Sequence, residues 1–196
     1  MKITQQLPTG YRKIYSIDLQ KDWKMSLLVS FLALLITALL AVPMHFHISV
    51  FTLFDRTAGM GAYYIRMGAL LGLLALYMVL HELVHGITMK LYGTKKVKYG
   101  FTGLYAFAAS DDFYSKKPYI VIALAPVVLW GVVLAVINPF VPLEWFWVVY
   151  LIQICNLSGA AGDLLVTVKF ARMPGDILVR DYGVGMDVYS AIEDRK

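Results

Sequence analysis

A single cysteine, Cys155, occurs in 196 residues, so no internal disulfide can form and a secreted, disulfide-stapled scaffold is excluded. Charge is equally sparse. Asp, Glu, Lys and Arg together make up 16% of the chain, against about 25% in soluble globular domains. Hydrophobic residues make up 59% and gather in four long runs, which excludes a disordered chain and a soluble enzyme. A secretory signal is not expected either. Met1 to Lys24 is polar and basic, with no small-residue cleavage site behind a short apolar core. Internal repeats and low-complexity stretches are absent. What these absences leave is an integral membrane protein, expected to be all-α with four transmembrane helices.

The first predicted span is Met25–Val42, eighteen residues without a charge and roughly 27 Å of helix, ended by Pro43. The second covers Met67 to Met89, between Arg66 and Lys90. The third covers Tyr119 to Ile137 and stops at Asn138-Pro139. The fourth covers Trp145 to Val168 and stops at Lys169.

These spans sort the basic residues. Lys2, Arg12, Lys13, Lys21 and Lys24 precede the first span. Lys90, Lys95, Lys96, Lys98, Lys116 and Lys117 lie between the second and third, and Lys169, Arg172, Arg180, Arg195 and Lys196 follow the fourth. Only Arg56 and Arg66 fall between the first and second, so sixteen of eighteen basic residues share one side. By the positive-inside rule that side is the cytoplasm, which predicts a multi-pass protein of the cell membrane with both termini cytoplasmic. The formal net charge of +5 is therefore read as a topology signal, and no nucleic-acid partner is expected. Trp145, Trp147 and Tyr150 suit an interfacial aromatic belt at the outer start of span four.

Between the spans, residues 95–110 predict a short cytoplasmic-side β-hairpin, because Val97, Tyr99 and Phe101 alternate before Gly103. A second strand is expected at Ile177–Tyr182, before Gly183 and Gly185. The expected domains are a cytoplasmic N-terminal segment 1–24, a four-helix membrane domain 25–169 and a cytoplasmic tail 170–196.

The predicted spans carry four ionisable side chains, His81, Glu82, His85 and Asp163. Each is costly in lipid, at least about 2.5–3.5 kcal/mol at the bilayer centre, and so calls for a function. Three of them form HELVHG. On a helix, His81 and His85 lie four apart on one face and can reach one metal ion, with Glu82 beside it as general base. A catalytic zinc takes three protein ligands. Asp163 is the other intramembrane carboxylate, and it sits level with His85, both roughly 6–8 Å inside the same boundary. Asn156, Gly159 and Asp163 share a face of span four, and Ser158 and Gly162 form a small-xxx-small pair. Asn156 is either a bridge between helices or an active-site donor. His45 and His47 are read as interfacial, Asp111 and Asp112 as a solvated turn, and Cys155 as a small packing residue.

HELVHG within a span and a distant span-borne Asp after an Asn resemble the site-2 class of intramembrane zinc metalloproteases. Taken whole, the chain resembles more closely a bacterial zincin peptidase family of short four-helix membrane proteins. The resemblance rests on LPTGYRKIYSIDL, HELVHG, KYGF, ALAP at Ala123–Pro126 and NLSGAAGD at Asn156–Asp163. It implies one zinc ion held by His81, His85 and Asp163, Glu82 as the catalytic base, and Asn156 as an aid to the oxyanion. Between Asn156 and Asp163 the chain departs from the site-2 pattern, with Gly159 and Gly162 in place of prolines. The activity expected is hydrolysis of membrane-embedded or membrane-proximal polypeptides, with the lipid bilayer as surroundings. The hairpin could pair with an extended substrate. A non-catalytic metal-binding membrane protein is the alternative. A metal transporter would be expected to show related halves, which the sequence lacks.

Overall fold

A computed structural model describes residues 3–103 and 106–191. The ends of the expected N-terminal segment and tail, and Leu104 and Tyr105 of the segment expected to form a hairpin, lie outside the described residues. The chain is mostly helical. Four stretches are long and apolar enough to cross a membrane: Trp23–His47, Met60–Leu91, Lys116–Phe140 and Leu143–Ala171. They correspond to the four predicted runs but differ at several of their ends.

Helix α1 (Trp23–His47) continues through Pro43, which was expected to end it. A proline costs one backbone hydrogen bond and crowds the preceding turn, but apolar spanning helices tolerate it. No residue of α1 is buried, and Phe31 and Leu34 are 61% and 69% exposed. An apolar helix this bare within its own fold requires apolar surroundings. Helix α2 (Met60–Leu91) begins earlier than predicted. Arg66 therefore lies within it, buried, with Nε donating to the Leu53 carbonyl oxygen at 3.1 Å. Helix α3 (Lys116–Ile137) stops where Asn138-Pro139 predicted. The fourth span is two helices, α4 (Phe146–Gly159) and α5 (Ala161–Ala171), parted at Ala160. The expected continuous face from Asn156 to Asp163 is thus interrupted. Asp163 instead stands in the first turn of α5, where the helix dipole favours a carboxylate.

The expectation of an all-α fold needs correction. Strands β1 (Ile3–Thr4), β2 (Tyr11–Asp18), β5 (Phe113–Ser115), β6 (Leu178–Asp181) and β7 (Gly185–Ala191) form a five-stranded sheet in the order β1-β5-β6-β7-β2. All its pairings are antiparallel. The separate hairpin is β3 (Lys98–Phe101) with β4 (Ala106–Ala109), as predicted. Strand β6 matches the expected strand at 177–182. Its turn into β7 uses Gly183 at φ +101°, a conformation that a side chain would strain.

Two compact units result. The first comprises Met1–Val29, Glu82–Pro126 and Gly162–Lys196. It contains both sheets, and its core gathers Tyr114, Tyr119, Ile122, Phe170, Val179 and Val188. Strands from before α1, from between α2 and α3, and from after α5 pair within one sheet. Backbone hydrogen bonding requires all three to lie on one side of any membrane that the helices cross, and these segments with the helix ends beside them carry sixteen of the 18 basic residues. The second unit comprises Ser30–His81 and Val127–Ala161 and is helical. One of its cores forms around Trp147, Val148, Leu53 and Ile154, the other around Tyr77, Leu134 and Ile152.

Candidate metal centre

HELVHG lies wholly within α2, so its two histidines are one turn apart on the same helical face. Both are buried. His85 Nδ1 lies 2.9 Å from the carbonyl oxygen of Ile122. A carbonyl can only accept, so Nδ1 carries the imidazole proton and the lone pair resides on Nε2. That nitrogen stands 3.7 Å from Oδ2 of Asp163, whose side chain is 27% exposed.

His81 is oriented by side chains. Its Nδ1 lies 2.8 Å from the Tyr77 hydroxyl, one turn earlier on α2, and that hydroxyl donates to Oδ1 of Asn156 at 2.8 Å. Asn156 is completely buried and donates from Nδ2 to the Val127 carbonyl oxygen at 3.0 Å. An amide buried in an apolar helix costs several kcal/mol unless it is hydrogen-bonded, and here both its oxygen and its nitrogen are.

His81, His85 and Asp163 each offer one ligand atom, and the three atoms lie within 4.8 Å of one another. Tetrahedral zinc with bonds of about 2.0–2.1 Å separates its ligands by about 3.3 Å, so a small inward adjustment would suffice. The donor set suits zinc, and the Nδ1 atoms of both histidines are engaged as ligating histidines usually are. The two imidazoles and the carboxylate expected to hold a metal are thus brought together. Glu82 is partly exposed on the same helix.

Gly86, next in the motif, has a steric role. A Cβ there would meet the Tyr99 hydroxyl, so the Tyr99 side chain of hairpin strand β3 rests against α2, and a larger residue would push that side chain aside. Beyond the spans, Asp181 is a partly buried carboxyl group that the sequence reading did not single out. Burial pushes it up to about 6, against the pull of hydrogen bonds from the Tyr119 hydroxyl at 2.7 Å and the Gly183 amide at 2.8 Å. Tyr77 was also missed. Its one signal was its place four residues before His81 in an otherwise apolar run.

The sequence pattern of a family described as "Putative zincin peptidase" matches residues 74–178, more than half of the chain and the whole of this cluster. The chain belongs to that family. It is also 31% identical, over 118 residues, to the uncharacterized 24.7 kDa protein in the gap 5' region of Pyrococcus woesei. That alignment covers 58% of this chain and 51% of the relative, so the chain spans about half of the relative's length. No solved structure matches this chain.

Proposed function

We propose that the protein is an intramembrane zinc metallopeptidase that hydrolyses peptide bonds in membrane-embedded or membrane-proximal polypeptides. The observation that carries this reading is the gathering of His81, His85 and Asp163 around one point, in a chain of zincin-family membership. His81, His85 and Asp163 would hold the metal. A zinc ion would supply there a Lewis acid for the scissile carbonyl and would lower the pKa of a water toward about 7. Glu82 accepts the proton of the attacking water at its carboxylate and returns it to the leaving amine. The basic segments that meet in the sheet lie on the cytoplasmic side of the cell membrane, with both termini. Among the described residues β3 pairs with β4 alone, and the other edge of this hairpin suits an extended substrate.

Glu82→Gln tests the chemistry. The substitution keeps side-chain volume and removes a charge that lipid disfavours, so the variant should insert and keep its zinc. General-base loss should lower turnover by about 10²–10⁴-fold. In cells carrying the variant, at least one membrane protein should accumulate uncleaved by quantitative proteomics. Normal processing by Glu82→Gln would replace the peptidase reading with that of a non-catalytic metal-binding protein.

A further inference from the structure

We propose that Tyr77 and Asn156 form a proton-ordering relay that fixes the tautomer and orientation of His81, and that Asn156 acts on the metal centre through Tyr77. The inference rests on the reading of His81 as a ligand and gives Asn156 a different task from the aid to the oxyanion implied by family resemblance.

The order of protons follows from groups that can only accept. The Val127 carbonyl oxygen must face the amide nitrogen of Asn156, which it does at 3.0 Å. That contact fixes which way the amide points, so Oδ1, an acceptor, faces Tyr77 at 2.8 Å. A tyrosine hydroxyl has one proton, and here it goes to Asn156. Its oxygen must then accept from His81 Nδ1, also at 2.8 Å. With Nδ1 protonated, the neutral imidazole has its lone pair on Nε2, as His85 does by a different route. Tyr77 and Asn156 are both buried, and Gly131 on α3 lies beside the amide: a Cβ there would stand 3.4 Å from Nδ2, an ordinary contact. Without Asn156, the Tyr77 proton could turn toward Nδ1 and favour the tautomer with its proton on Nε2. Tyr77 and Asn156 are positioning residues on this account.

The test measures zinc affinity of the purified full chain in detergent micelles, by competition with a chelator of known affinity. Tyr77→Phe and Asn156→Ala should each weaken zinc binding about 10- to 100-fold, the usual cost of losing a group that orients a ligand. The double variant should bind no more weakly than the weaker single variant, because both break one chain. Thermal unfolding of the metal-free proteins checks that each variant is folded. Parent-like zinc affinity in folded Asn156→Ala, or losses that add in the double variant, would overturn the relay while leaving the peptidase reading intact. A parent that binds no zinc would overturn both. If the variants fail to fold, the parent answers alone. With ¹⁵N-histidine labelling and zinc bound, His81 should show a protonated Nδ1, and a metal-bound Nδ1 would overturn the inference.

Discussion

His81 and His85 stand one turn apart on α2 and offer the same group to the same point, yet they are held in different ways. His85 leans on a backbone carbonyl, that of Ile122, which every residue at that position supplies. His81 leans on a tyrosine, which leans on an asparagine, which leans on the Val127 carbonyl. A backbone anchor is insensitive to side-chain identity, whereas a side-chain anchor can be removed by one substitution. Two histidines in like positions can therefore have very unequal vulnerability to mutation.

The largest expected effects ignore this asymmetry. His81→Ala, His85→Ala and Asp163→Ala should each lose most of the bound zinc, because a two-ligand site leaves the ion poorly satisfied. Metal analysis of the purified variants measures this, and full occupancy in Asp163→Ala would move the third ligand elsewhere. The anchors come next. Ile122→Val keeps the carbonyl that holds His85, so zinc affinity should change less than about twofold, while the smaller side chain costs about 0.5–1.5 kcal/mol of stability in the core. Set against the expected loss in Tyr77→Phe, this pair separates a backbone anchor from a side-chain anchor. A large affinity loss in Ile122→Val would break the comparison.

How much of this was legible follows from distance along the chain. The four apolar runs and HELVHG are local patterns, and each appears where it was read. The hairpin at 98–109 and the strand at 178–181 were also local, marked by alternation and glycines. The five-stranded sheet was not, because β2 pairs with β7 across most of the chain. Its alternation is also broken by the irregularity between Lys13 and Tyr15, which leaves Ile14 41% exposed. The break at Ala160 falls in NLSGAAGD, whose small residues were read as a face for close helix packing. Tyr77 was hidden for a similar reason, since a tyrosine among leucines reads as packing until its hydroxyl is seen between His81 and Asn156.

A further predicted effect lies away from the zinc-site residues, at Asp181. Its folded-state pKa, about 6, exceeds the ordinary value of 3.8, so the folded protein binds the proton more tightly than the unfolded one. Stability from this group is present at low pH and lost as pH rises from about 4 through about 6. Asp181→Asn should flatten that part of the thermal-unfolding profile of the metal-free protein. An unchanged slope would assign the pH dependence to other groups.

The central claim is that residues from α2 and α5 make one zinc site with Glu82 as a base outside the ligand set. Zinc stoichiometry of the purified parent beside Glu82→Gln tests it most directly. The account predicts one zinc ion per chain in both proteins. A parent that carries no zinc and takes up none when it is supplied, or a Glu82→Gln variant that has lost its zinc, would contradict it.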